Sequence, residues 1–272
     1  MDILSDTVKL VKNRLGDEFE SITVERLVMG IFFTGVKLSN QAAGICFTPI
    51  KHIPEAVCCP SSAGRAISPA KINGMKAMNL LANLSSGEPL KTATAIATLN
   101  ALSATCFKKG LVSDCRLIIN TDAKDAVDLS ANRSVALVGA LVPFLKVLKK
   151  RGGIWWVIEE DQRTLRSDEM AHFVPFEISG EIISKADVLV ITGATIVNHT
   201  LETILDLAKP DAEVVVVGPT ASMLPEPMFE RGVSVVGGVL VKEPDKLLDI
   251  LAAGGSGYHF LDTLAERVVF LR

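Results

Sequence analysis

Aromatic side chains are scarce in this chain of 272 residues, which has one Tyr, two Trp and eleven Phe. The two Trp stand next to each other at 155 and 156, so no spaced series of rings is available to stack on bases. Positive charge is not in excess either: the formal net charge is −3, which provides no basic surface for a phosphate backbone. Nucleic acid is therefore not an expected partner. Long apolar runs are missing. The longest, Val135 to Leu148, is broken by Pro143 and Lys146 and is too short for a bilayer, so no membrane partner is expected. Residues Met1 to Asp6 lack a basic region followed by an apolar core, which leads to the expectation of a cytoplasmic protein. The five cysteines (Cys46, Cys58, Cys59, Cys106 and Cys115) are odd in number, as expected of reduced thiols. Neither Cys-x-x-Cys nor His-x-x-x-His occurs, so ligand spacing gives little support to a metal centre.

What is abundant is aliphatic. Hydrophobic residues make up 49% of the chain and charged ones 22%, enough for a well-packed core. Residues 1–112 read as a small α+β unit. Leu4, Val8, Val11 and Leu15 recur at helical spacing up to Gly16. Three strand-like runs follow, Ser21 to Met29, Ile31 to Leu38 and Ala43 to Phe47. With no room for helices between them they predict an antiparallel meander. A proline-rich loop spans residues 49–69. The pattern then predicts two helices, Ala70 to Leu84 and Pro89 to Phe107, the second rich in Ala and Thr and closed by Lys108, Lys109 and Gly110.

Residues 113–272 alternate between short Val/Ile runs and helical stretches. Strands are expected at Val135 to Val138, Ile154 to Ile158, His172 to Val174, Val188 to Ile191, Val214 to Val217 and Val233 to Val236. Continuous apolar strands with helices between them predict an α/β fold, a doubly wound parallel sheet covered on both faces. In the usual strand order the first and fourth of these lie side by side, and ligands bind in the crevice where the order reverses. That places Gly139 opposite Thr192-Gly193-Ala194-Thr195, which Asn198 and His199 follow.

Several residues there could carry ligand chemistry. Hydroxyls of Thr192 and Thr195 and the amide of Asn198 could bind a carboxylate, phosphate or ribose edge, or could simply cap the next helix. Gly193 and Gly139 allow close backbone approach. The Gly139 turn lacks the remaining glycines of a dinucleotide fingerprint, so a pyrophosphate would fit poorly. Glu159, twenty residues on, stands where an acidic group meets ribose hydroxyls, although Glu159, Glu160 and Asp161 also read as a solvated acidic loop. Pro219 and Gly238 mark the turns expected after the fifth and sixth strands. Asn100 sits mid-helix on an Ala/Leu/Thr surface, where a buried amide needs partners on its own side or across the seam between the two units. His52, Cys58 and Cys59 are weak candidates for a soft metal site, and core or loop thiols are the plainer reading. Arg65 beside Gly64 could clamp an anion. His199 could act as a base or be a bystander.

Taken together, Thr192-Gly193-x-Thr195-x-x-Asn198-x-Thr200, Gly218-Pro219-Thr220 with Pro225 beyond, and Gly232-Val233-x-x-x-Gly237-Gly238 resemble the prokaryotic family of unknown function labelled putative heavy-metal chelation. The first half, with Gly64-Arg65 and Ala97-Thr98-Leu99-Asn100-Ala101, resembles the enolase-N-terminal-like domain that precedes the Rossmann-like domain in that family. The resemblance implies two domains, 1–112 and 113–272, with an interdomain cleft between them. It also implies a small-molecule-binding protein or an enzyme of unknown reaction, in heavy-metal or metal-chelator metabolism. Two alternatives stay open: a non-catalytic metal-sequestering protein, and a transferase using an adenosine-type cofactor such as S-adenosylmethionine. The cofactor is accordingly open between a metal ion and an adenosine-type nucleotide. A homodimer is the base-rate expectation.

Overall fold

Residues 2–53, 67–112 and 115–272 are described by the structure, a computed structural model. Helix α1 (Ile3–Leu15) starts where Asp2 accepts a hydrogen bond from the Ser5 amide at 2.7 Å. It buries Ile3, Leu4, Thr7, Val11 and Leu15 along one face. A short helix α2 (Glu18–Ser21) leads into the expected meander. Strands β1 (Val24–Met29), β2 (Phe33–Leu38) and β3 (Ala43–Phe47) pair antiparallel in that order.

The stretch 70–84 departs from the expected single helix. Only α3 (Ala77–Leu81) is α-helical, after a 3-10 turn at Pro69–Lys71. The reason lies in hydrogen bonding across space. Gly74 N donates to Val24 O at 2.9 Å, and Val24 N donates to Met75 O at 2.8 Å, so the chain runs alongside β1 before turning helical. Apolar spacing could not foresee that competitor.

Helix α4 (Pro89–Lys108) forms as expected, with Pro in its first turn. Every residue from Thr92 to Cys106 is buried, which identifies a helix enclosed on all sides. It lies against β2 and β3 on one side and meets α1 and α3. Its small residues permit this. A Cβ on Gly44 of β3 would stand 2.3 Å from Ala101 N and 2.4 Å from Ala97 O, so strand and helix backbones nearly touch.

The second sheet has eight strands: β4 (Arg116–Ile119), β5 (Val135–Val138), β6 (Trp155–Glu159), β7 (Phe173–Pro175), β8 (Val188–Thr192), β9 (Glu213–Val217), β10 (Val233–Val241) and β11 (Ala265–Leu271). Their order is β4-β11-β10-β9-β8-β5-β6-β7. The six strands β5 to β10 are mutually parallel and take the doubly wound order 3-2-1-4-5-6. Strand β11 adds antiparallel to β10 and β4 antiparallel to β11, and neither was anticipated. Helices α5 (Val142–Arg151), α6 (Gly180–Ile183), α7 (Ala194–Val197), α8 (Leu201–Leu207) and α9 (Glu226–Phe229) fall between strands.

The final pair, α10 (Pro244–Ala252) and α11 (Gly257–Phe260), turns towards the first sheet. Leu247, Leu248 and Leu251 of α10 share a core with Ala43 and Ile45, and Phe260 packs edge-on against Phe33. Each such fully buried side chain contributes roughly 1.5–3 kcal/mol. A larger core joins α1, α4 and one face of β8 and β9, so apolar packing runs continuously between the two sheets.

Candidate functional site

The run Val135–Val138 is fully buried because β5 sits in the middle of the sheet, paired with β6 on one side and β8 on the other. β5 ends opposite Ile191, and the next residues, Gly139 and Thr192, meet where the strand order reverses. Gly139 has φ +92, and a Cβ there would lie 2.8 Å from Thr192 Cγ2. Both the left-handed backbone and the contact demand glycine. Gly139 N donates to Ile158 O at 2.9 Å, which pins the turn to β6.

Glu159 ends β6 and reaches back over this turn. Its Oε2 accepts from Ala140 N at 3.0 Å and its Oε1 from Glu160 N at 2.9 Å. Beside it Asp161 binds Arg163 and, at 2.7 Å, Lys51 from the segment after β3. These cations, Arg163 first, hold the Asp161 carboxyl well below the usual carboxylate range. His52 Nε2 stands 3.9 Å from Glu160 Oε2. The chain that leaves the first sheet therefore crosses to the end of β6.

On the other side of Thr192, Gly193 N donates to Val217 O at 2.7 Å and packs against Thr220. Asn100 of α4 arrives here. Buried to 1% exposure, its Nδ2 donates to the carbonyls of Ile45 (2.8 Å), Thr220 (3.0 Å) and Pro219 (3.3 Å). These three acceptors fix the amide orientation. Its Oδ1 is buried without a hydrogen-bond partner among the described residues. Thr220 Oγ1 in turn accepts from Phe47 N at 3.0 Å, so β3, α4 and the turn after β9 are stitched together.

The expected residues thus separate into groups. Gly139, Glu159, Thr192 and Gly193 come together at the ends of β5, β6 and β8, and Asn100 and Pro219 adjoin Gly193 through Thr220. Thr195 is buried, with its hydroxyl donated to Thr192 O at 2.7 Å. Asn198 is exposed beyond α7 and accepts from the Thr200 hydroxyl at 2.8 Å. Gly238 does not follow a strand. It lies inside β10, opposite Val268, because the strand continues to Val241. A Cβ there would meet Ser222 Oγ at 2.9 Å, and that hydroxyl accepts from Val239 N. The glycine serves a strand-to-turn contact.

Sequence reasoning missed Thr220, Ser222 and Lys51. The Gly218-Pro219-Thr220 turn was a usable signal for the first two. Nothing local marked Lys51, whose partner is 110 residues away.

Among the described residues a metal centre finds little support. No group of three or more His, Cys, Asp or Glu among the described residues could hold an ion. Cys58 and Cys59, with Gly64 and Arg65, lie outside the described residues, and His52 is exposed. Burial pushes the Cys106 thiol up to about 11 and the Cys46 thiol higher still, away from the thiolate a soft metal needs. One Glu-x-x-His spacing does occur, at Glu169 and His172. There Glu169 binds Lys149 and His172 stacks on Trp155 with ring centroids 3.5 Å apart.

Comparison with known proteins agrees with this architecture. The chain belongs to the DUF364 family, described as "Putative heavy-metal chelation", whose model matches residues 122–270. A second model with the same description, DUF4213, matches residues 12–103. An uncharacterized protein of Methanocaldococcus jannaschii is 28% identical over 170 residues, covering 61% of this chain and 60% of that protein's length. Two solved structures of DUF364 proteins of unknown function share the fold. One, from Pyrococcus horikoshii, has TM-score 0.77 at 19% identity over 99% of this chain and 100% of that one. The other, from Desulfitobacterium hafniense, has TM-score 0.72 at 18% identity over 98% and 99%. No described helix is long and apolar enough to cross a membrane.

Proposed function

We propose that the chain is a small-molecule-binding protein or enzyme whose ligand sits at the ends of β5, β6 and β8, in the cleft between residues 1–112 and 113–272. The observation that carries this reading is the meeting of Gly139 and Thr192 at the reversal of strand order, with Glu159 on one side and Gly193 on the other. Open α/β sheets bind ligands at that point. Thr195 and Asn198 enter this reading as supports of the turn, because the hydroxyl of one is already used and the amide of the other faces out. Handling metals or their chelators fits the family description, a cytoplasmic homodimer is the accompanying proposal, and the reading places the chemistry in an organic ligand rather than a protein-held ion. Glu159 at the end of the second parallel strand specifically favours an adenosine-type ligand as the second reading.

A thermal-shift panel of nucleosides, S-adenosylmethionine and metal-chelating small molecules tests it. A ligand at about a hundredfold over its dissociation constant stabilises by about 2.7 kcal/mol. Thr192→Val, which keeps the shape that packs on Gly139 and removes the hydroxyl, is expected to reduce that shift, at a small cost in the ligand-free midpoint because Thr192 Oγ1 also accepts from Ala194 N at 3.3 Å. A shift untouched by this variant and by Glu159→Gln would move the site elsewhere.

A further inference from the structure

In a glycine turn that opens a helix, the first free amides are what a bound phosphate uses. Here the two that follow Gly139 are taken. Ala140 N is bound to Glu159 Oε2 at 3.0 Å, and Leu141 N to Gly139 O at 2.8 Å. Pro143 in the first turn of α5 has no N–H to offer. The group holding Ala140 N is itself an anion, fastened by its other oxygen to Glu160 N. Among the described residues no ion pair joins it to a cation: Lys51 and Arg163 both bind Asp161.

We propose that the Glu159 carboxylate occupies the phosphate position of this turn and makes the site reject phosphorylated ligands, selecting molecules that present hydroxyl or ammonium donors. The inference rests on the switch-point reading of the preceding subsection and adds the ligand class. A phosphate entering the turn must displace a carboxylate from Ala140 N and then lie against it, two like charges in contact. A hydroxyl or ammonium group meets the opposite situation. Each carboxylate oxygen has two acceptor positions; Ala140 N fills one on Oε2, while Oε1 takes Glu160 N and a longer contact from Asp161 N at 3.5 Å. The remainder can take a donor without disturbing the turn. The Glu159 carboxylate therefore calls for donors on the ligand.

Inorganic pyrophosphate is the probe, read by amide resonances of the intact chain at constant ionic strength. In the wild type the Gly139, Ala140 and Leu141 signals are expected to stay in place as pyrophosphate is added. In Glu159→Ala they are expected to move saturably, with affinity gained by about tenfold or more once the charge is gone. Glu159→Gln keeps an acceptor for Ala140 N and removes the charge; it is expected to gain less, and it carries the test if the alanine variant does not fold. A saturable shift at these residues in the wild type would overturn the proposal, as would the absence of any gain in the folded variants. The first of those outcomes would leave the site in place with another ligand class. Loss of the binding site itself would show separately, as a nucleoside or chelator shift insensitive to Thr192→Val.

Discussion

Asn100 donates to the Thr220 carbonyl at 3.0 Å and to the Ile45 carbonyl at 2.8 Å, holding strand β3 and the turn after β9 with one amide. The two acceptors are far apart in sequence, and α4 is the element that brings them within reach of one side chain. Asn100→Ala strands these carbonyls in a seam that excludes water. The expected cost is about 1–3 kcal/mol, because an unsatisfied buried polar group carries its full desolvation penalty. Urea unfolding should show a lower midpoint with an unchanged slope. Hydrogen exchange should speed up at Ala221, whose amide is bonded to Gly218 within the freed turn. A midpoint equal to wild type would mean that the amide contributes no net stability.

The Gly139 and Thr192 contact allows a cleaner separation of causes. Gly139→Ala combines a left-handed backbone with a Cβ 2.8 Å from Thr192 Cγ2, and should destabilise by about 1–3 kcal/mol. Thr192→Ser removes that methyl group and retains the hydroxyl. The double variant should therefore recover part of the loss, and the unrecovered part measures backbone strain together with the 3.0 Å approach to Cβ of residue 192. Strict additivity in the double-mutant cycle would show that the methyl contact is not the obstacle.

Much of this arrangement is legible in the sequence, and the limits have physical causes. The runs at Val135, Val188 and Val214 are buried on both faces, so their apolar continuity signals parallel strands and their order follows. The meeting of Gly139 and Thr192 follows from that order alone. What escaped depends on partners distant in sequence. Strand β11 is recognised by pairing with β10 and β4, since Ala265–Leu271 has no clear alternation. Gly237 and Gly238 look like a turn, yet they are in-strand contacts with Ala123 and Ser222. Asn100 was visible as an anomaly on an apolar helix, whereas its three acceptors were not.

Acid should weaken the opposite edge of the sheet. Asp187 accepts from Ser134 N and Ser134 Oγ, both at 2.8 Å, and pairs with Lys209, tying the start of β8 to the residue before β5. Lys209 above all, then the Ser134 bonds, hold its carboxyl below its ordinary 3.8. A carboxyl depressed in the folded state contributes stability that is present above the unfolded value and is lost as pH falls through the folded one. Stability should thus decline below pH 3.8, and Asp187→Asn should flatten the decline over that window while lowering stability near neutrality. Equal acid slopes for the two proteins, from urea midpoints measured against pH, would remove Asp187 from the account.

The two buried thiols can be tested as metal ligands. Cys46 is fully buried in β3 and donates to Phe47 O, and Cys106 is buried near the end of α4. Desolvation raises both thiols, Cys106 to about 11, so at pH 8 only on the order of one in a thousand Cys106 side chains is thiolate. Iodoacetamide labelling of the native protein, followed by peptide mass spectrometry, should leave both cysteines unmodified over the time in which a model thiol reacts fully. Both should react once the chain is unfolded in urea. Added zinc should not change the native pattern at these two positions, because a buried neutral thiol offers an ion neither access nor charge. Labelling of Cys46 or Cys106 at the rate of a free thiol, or its suppression by zinc, would make them candidate ligands.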